Sequence, residues 1–522
     1  MSSSSDRGEE PRASGSRVIG SERTASNPAR SRGWDAKRTL GFELPDAPAT
    51  SLPPIGRQPS KRRFAPKPPF TRKAAAPVYE TDKPSVAPTV PADSQEANDF
   101  GGLSLKFAIL FLFLRFSFLH EFLTVKFRLH LYLIVFVGGI AYLSLLKGAT
   151  WRAVTDSKLY RSWFIFSVLL AVGIPLSLWP GGSYAIVVAF IKDNFLCIPL
   201  IGGLFGTWAR MRKLLIALGW AGVVVVLLST VHNYDVGGRL AVDFTGSVGN
   251  PNDIAAHIIF VIPFVLFAGF SQHTKLLFRL IFLGSMPICL YVMLRTGSRG
   301  AFIGLAAGLL FTVVTGSSRV KLTFVTLVPI VAVVLLAVLP RADFDRLFTF
   351  TGASANHEEA VASYEARQNL LRTSISATLH HPIFGVGAGQ FGSYEGNLAI
   401  EEGHPHNNWQ ETHNSFTEIS SENGIPALCC MLYAVVRTFL LFFRVYKQAR
   451  QNPQLNDLAM AAFLLTAGMI AFCVGASFLN FGYKVYFVVL TGLAIALQRC
   501  VSNASIAIPA ITPANPRMLR AS

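Results

Sequence analysis

RADFDRLFTFTGASANHEEAVASYEARQNLLRTSISATLHHPIFGVGAGQFGSYEGNLAIEEGHPHNNWQETHNSFTEISSENG, residues 341–424, is a polar stretch set between long apolar runs. It holds six of the eleven histidines (His357, His380, His381, His404, His406 and His413). It also holds eleven carboxylates, four arginines and no lysine. Around it, apolar runs of about 18 residues or more recur, the length needed to cross roughly 30 Å of hydrocarbon. The chain thus reads as an all-α integral membrane protein with one large titratable loop.

Composition supports this reading. Of 522 residues, 51% are hydrophobic, and the mean hydropathy is +0.42. Residues 1–100 differ: they hold 14 of the 29 prolines and few large apolar residues, so they cannot bury a core and are expected to be disordered. That tail has 16 Lys and Arg against 12 Asp and Glu, a net +4 of the chain's +17. The remaining +13 belongs to the membrane part, where basic residues serve lipid head groups rather than nucleic acid. No apolar h-region opens the chain, so no secretory signal is expected. The six cysteines lie in or beside apolar segments without a C-x-x-C, which suggests neither a disulfide framework nor a zinc site.

Twelve spans are expected, at about 103–119, 129–146, 160–178, 184–205, 214–231, 253–270, 276–294, 300–315, 322–339, 425–443, 459–479 and 484–498. With the tail in the cytoplasm, the cytoplasmic short loops carry twelve Lys and Arg against five (Lys126, Arg128, Arg239, Arg295, Arg299) on the opposite side. The polar stretch then faces outward, and both termini are cytoplasmic. The organisation expected is a tail (1–100), spans one to nine (101–340), the large loop (341–424), spans ten to twelve (425–500) and a short C-terminal tail (501–522).

Several residues carry chemical potential. Glu365-Ala-Arg367-Gln-Asn-Leu370-Leu371-Arg372 continues to Ile375 and Leu379, an apolar stripe at helical spacing with Arg367 one turn before Leu371. Such a helix rests on the membrane with the arginine turned inward, and His380-His381-Pro382 ends it. Gly385-Val-Gly387-Ala-Gly389 reads as a loop or as a phosphate or sugar contact. His413, in Thr412-His413-Asn414-Ser415-Phe416, has the right acidity to take a proton from a hydroxyl, and Glu418 or Glu422 is spaced to orient its imidazole. His404 and His406 compete for that role, and a metal site from the three histidines is a weaker reading. Arg295-Thr-Gly-Ser-Arg299 places two guanidiniums at a helix mouth, natural partners for pyrophosphate. Asp243-Phe-Thr-Gly246-Ser-Val-Gly249-Asn250-Pro251-Asn252-Asp253 reads as a turn capped by Asn252 or Asp253, or as a helix N-terminus aimed at an anion. Lys192 and Asp193, inside an apolar run, need a partner or a water-filled path.

In order and spacing, Gly249-Asn-Pro-Asn252, Thr296-Gly-Ser-Arg299-Gly-Ala, Glu365-Ala-Arg367, His381-Pro-Ile-Phe-Gly385-Val-Gly387, His413-Asn-Ser-Phe and Glu422-Asn-Gly-Ile-Pro-Ala resemble the O-antigen ligase/polymerase superfamily. The resemblance spans about residues 100–500. It implies a GT-C-like glycosyltransferase of the bacterial inner membrane, working without metal, nucleotide sugar or other cofactor. Such an enzyme moves a glycan from undecaprenyl pyrophosphate to lipid A core, another glycan or a protein hydroxyl on the periplasmic face, with inversion. By the same resemblance Arg299 and Arg367 hold the pyrophosphate and His413 is the base. Arg295, Arg372, Asn414, Glu418, His406 and Asn252 are supporting candidates. A polymerase of the same superfamily is the nearest alternative, and a membrane transporter a more distant one.

Overall fold

The computed structural model describes residues 99–128, 137–141, 149–248, 250–341, 355–401, 403 and 409–507. Nearly all of the N-terminal tail, most of the expected second span, His404, His406 and residues 508–522 lie outside the described residues. Helices stand at the other eleven expected places: α1 (Asp99–Ser117) with α2 (Leu119–Phe127), α3 (Ala149–Thr155), α4 (Lys158–Gly173), α5 (Pro180–Ala189) with α6 (Cys197–Leu204), α7 (Trp208–Val231), α8 (Pro251–Phe270), α9 (Leu276–Arg295), α10 (Arg299–Thr315), α11 (Ser318–Val338), α12 (Ala355–His380), α13 (Phe391–Glu401), α14 (Ser415–Ala449), α15 (Asn456–Ala476) and α16 (Val485–Ala507).

Eight helical segments are long and apolar enough to cross a bilayer, or nine if α1 and α2, bent by 62°, make one span. The expected twelve are therefore not reached among the described residues. The eighth, α10, is too short at 17 residues. The tenth begins earlier than expected, because α14 starts at Ser415 inside the polar stretch. The multi-pass, helical architecture stands.

Small residues set the packing, as they do where lipid supplies no hydrophobic drive between helices. Gly300, Gly304 and Gly308 recur every fourth residue along α10 and turn its buried face to α15. A Cβ on Gly304 would lie 2.5 Å from the Ala471 carbonyl oxygen. Gly219 and Gly222 of α7 meet α8 in the same way. The only strands among the described residues form a hairpin, β1 (Asn233–Val236) and β2 (Arg239–Val242), which the all-α reading does not anticipate. Its two-residue turn is Gly237-Gly238, both at positive φ, as a tight hairpin matched to strand twist requires.

One local expectation is corrected, and of the two readings of Lys192 and Asp193 the ion pair is the one seen. The N-cap of α8 is Asn250, whose Oδ1 accepts from Asn252 N at 2.9 Å, with Pro251 in the first helical position; proline there loses nothing, since that amide has no helical acceptor. Lys192 and Asp193 sit in a π-helical segment, Phe190–Phe195, and pair with each other at 3.7 Å, both well exposed.

Gly304→Leu should break the contact of α10 with α15. Overpacking at this approach is expected to cost about 2 kcal/mol or more, measured as a lowered unfolding midpoint in detergent, whereas Gly284→Ala, in open space on α9, leaves it unchanged.

Candidate functional site

The polar stretch is built around a break in α14. Gly424 has φ 82° and ψ 174°, outside the helical region, and Pro426 has no amide hydrogen. Ile425 N turns away to the Pro382 carbonyl at 2.8 Å. The carbonyls of Ser421 and Glu422 thereby lose their helical donors. The loop after α12 supplies replacements: Val386 N reaches Ser421 O and Gly387 N reaches Glu422 O, both at 2.9 Å. The approach is so close that a Cβ on Gly385 would lie 2.2 Å from the Glu422 carbonyl carbon, and one on Gly424 would lie 2.2 Å from the Ile383 oxygen. The glycine run 385–389 is thus occupied by backbone docking.

Glu422 completes the latch. Its buried carboxylate accepts from Gly389 N (2.7 Å), Phe391 N (3.2 Å) and Tyr483 Oη (2.7 Å). Burial first, then the nearby Glu422 and Glu418, push the Tyr483 phenol well above its ordinary value and keep its proton for this bond. Glu418 accepts from Gly482 N at 2.8 Å. Both acids that were spaced to orient the His413 imidazole are therefore engaged elsewhere.

The turn between α15 and α16 is the shared support. Ser415 Oγ lies 2.8 Å and 2.7 Å from the carbonyls of Ala476 and Leu479, sharing its one hydrogen between them, and accepts from Phe481 N at 2.9 Å. Thr412 Oγ1 donates to Asn480 Oδ1 at 3.0 Å, and Asn480 Nδ2 donates to Glu411. Asn414 caps α14, accepting from Phe416 N and Thr417 N. His413 is thus pinned on both sides, in a left-handed conformation at φ 50° that is uncommon outside glycine. Its half-buried ring makes no hydrogen bond to a described residue. Burial first, then the charge of Arg367, hold its pKa below 6.5, against the opposing pull of Glu411. The imidazole is neutral near neutral pH and able to accept a proton.

The same turn holds the second cationic element. Gly300, next to Arg299, packs on Phe478. Arg299 opens α10 behind the N-cap Ser298, so its charge adds to the positive end of the helix dipole. This arrangement disfavours the free helix by a few tenths of a kcal/mol and favours an anion there. Arg239, from β2, ties the two preceding motifs together: Nε donates to Thr296 O (2.8 Å) and Nη2 to Asn252 Oδ1 (2.7 Å). Asp253, in the first turn of α8, lies within electrostatic reach of Lys484 and Glu411.

On α12, Leu370, Ser374, Ala377 and Thr378 are buried against α14, with Arg367 on that face. Leu371, Ile375 and Leu379 (69% exposed) point away, and so does Arg372. The expected single stripe is thus two faces. The structure brings Arg367 to His413 and anchors Arg299 and His413 on one turn; Asn252 and Arg295 flank the Thr296 turn, and Arg372 stands apart. Among the described residues no group of three His, Cys, Asp or Glu is gathered for a metal, and His404 and His406 lie outside them.

Residues 284–432 match the family model described as O-antigen ligase. That segment is similar to O-antigen ligases. The matched segment runs from within α9 into α14 and contains Arg295, Arg299, Arg367 and His413. Asn252, Arg239 and the 477–484 turn lie outside it. No curated protein matches the chain. The match, set among helices long and apolar enough to cross a bilayer, supports an O-antigen ligase/polymerase-type function for a multi-pass membrane protein.

His413 gives a test independent of turnover. Site-resolved acylation of the neutral imidazole by diethyl pyrocarbonate should show a midpoint below pH 6.5 in the native protein. Arg367→Gln removes a lowering charge and should move it up; Glu411→Gln removes a raising one and should move it down. Equal midpoints in all three proteins would contradict the assignment of these neighbours.

Proposed function

We propose that the protein is a metal-independent, inverting transferase that moves a glycan from undecaprenyl pyrophosphate to an acceptor hydroxyl at the periplasmic face, on lipid A core or on another glycan or protein. The observation that carries this reading is His413, its pKa held low and its ring without a hydrogen bond to a described residue, within electrostatic reach of Arg367 and pinned to the turn that supports Arg299. In the reaction, His413 takes the proton of the acceptor hydroxyl as its oxygen attacks the anomeric carbon. The bond from that carbon to the phosphate oxygen breaks, and undecaprenyl pyrophosphate leaves with the electron pair. Arg299 and Arg367 stabilise the charge that grows on the leaving group, where permanently charged, fork-shaped donors act best. Attack opposite the leaving group inverts the anomeric centre. Asn252 is held by Arg239 at the edge of this site and acts through position. Asn414 and Glu418 shape the backbone that carries His413.

A positive-inside reading of the Lys/Arg bias favours a cytoplasmic N-terminus with residues 341–424 outside, on the periplasmic side of a bacterial inner membrane as the family resemblance implies. The exposed stripe Leu371, Ile375 and Leu379 then lies along the outer membrane–water boundary, where the lipid pyrophosphate presents its head group. Transport finds no comparable support, since Lys192 and Asp193 satisfy each other at the surface.

His413→Asn keeps a residue that tolerates the left-handed backbone and should lower transfer by roughly a hundredfold or more. Arg299→Ala and Arg367→Ala should each do so by a similar factor, all three inserting normally. Full activity in all three removes the proposal. Glycan analysis of a deletion strain separates the two superfamily activities. Lipid A without long chains, with lipid-linked polymer accumulating, is the ligase result; single repeat units on the acceptor mean polymerase.

A further inference from the structure

The opposite end of the bundle carries a second feature. Some twenty to thirty residues further along α14, roughly 30 Å or more from Ser415 at 1.5 Å per residue, α14, α4 and α16 enclose a crevice of about 230 Å³. Arg437 and Arg444 of α14 and Lys158 at the first position of α4 line it, with Ser157, Leu440 and Gln498. Among the described residues no carboxylate pairs with Lys158, Arg437 or Arg444. The acid nearest in sequence, Asp156, pairs with Arg161 at 3.5 Å. A second crevice of about 320 Å³ adjoins the first through Leu440 and Arg444 and adds Lys447.

Three like charges between membrane helices repel one another, and Lys158 also opposes the dipole of α4. An anion seated among them relieves both costs. The Gln498 Oε1 atom, buried and without a donor among the described residues, adds a demand for a hydroxyl or amine hydrogen in the same crevice. The ligand therefore carries a phosphate and a neighbouring donor. It also carries apolar chains, because the flank of the crevice is apolar and uncovered. Phe164, Ile165 and Val168 of α4 and Tyr433, Val436 and Leu440 of α14 are all exposed.

We infer that this crevice binds the head group of an anionic phospholipid of the phosphatidylglycerol kind. The phosphodiester sits among Lys158, Arg437 and Arg444, a glycerol hydroxyl donates to Gln498 Oε1, and the acyl chains lie in the groove between α4 and α14. Basic pockets between membrane helices recognise lipid head groups in this way. The site belongs neither to the matched O-antigen ligase segment nor to the reaction centre, since all its lining residues lie outside residues 284–432.

The test uses the full chain, purified in mild detergent and exposed to equimolar phosphatidylglycerol and phosphatidylethanolamine, with bound lipid read by native mass spectrometry. The wild type should retain phosphatidylglycerol preferentially. The combined Arg437→Gln and Arg444→Gln variant should lose that preference by roughly tenfold or more, as two lost head-group contacts imply. An Arg450→Gln control, outside the first crevice, should keep it. Equal retention of the two lipids by the wild type overturns the proposal without any variant. So does wild-type retention by the double variant. Displacement of phosphatidylglycerol by soluble glycerol phosphate at matched concentration also overturns it, because the site would then bind phosphate alone. If the double variant fails to fold, Gln498→Leu decides: it should narrow the preference, and an unchanged ratio counts against the assigned hydroxyl contact.

Discussion

The docking of Ser415 onto the turn between α15 and α16 is the interaction on which the rest depends. One buried hydroxyl meets the Ala476 and Leu479 carbonyls and the Phe481 amide. It fixes where α14 begins, and so where His413, two residues earlier, stands. The same turn meets the N-terminus of α10 through Phe478 and Gly300. Two segments more than a hundred residues apart thus share one support at the end of the helical bundle. Neither would have a defined position on a polar loop alone, because loop closure at that separation costs entropy that local contacts do not recover.

A second constraint is the break at Gly424 and Pro426. It frees two carbonyls in an apolar setting, where each needs a donor. The 385–389 loop meets that need, and the Glu422 carboxylate collects two more amides and a phenol. Glu418 and Glu422, the acids that follow His413 on the helix, therefore do structural work, and the acid within electrostatic reach of the imidazole is Glu411, two residues before it and held by Asn480. The division is physically sensible: a base that must accept a proton gains nothing from a buried carboxylate that would keep it charged.

Much of this was legible in the sequence, for identifiable reasons. Span positions follow from hydropathy, which is a local quantity. The end of α12 at His380 follows from Pro382, and the pairing of Lys192 with Asp193 from adjacency. Arg299, Arg367 and His413 are singled out by the family resemblance, and the structure places Arg367 within electrostatic reach of His413. Partners from distant segments leave no local trace. Asn480, Tyr483 and Ser477–Lys484 as a whole look like any inter-span turn, and Arg239 looks like a topology signal until the hairpin carries it to Thr296 and Asn252. The two faces of α12 were confused for a related reason: its buried face is lined by Ser374, Ala377 and Thr378, small residues that a hydrophobic stripe does not register. The cap at Asn250 was displaced by two residues, the usual uncertainty at a helix start.

The central claim is a division of labour: arginines hold the donor and His413 acts only on the acceptor. Equilibrium binding of a polyprenyl-pyrophosphate-linked glycan to the purified protein tests it most directly. The account predicts that His413→Asn binds this donor as the wild type does, although it no longer transfers, while Arg299→Ala binds it at least several-fold more weakly. Loss of donor binding in His413→Asn equal to that in Arg299→Ala would contradict it.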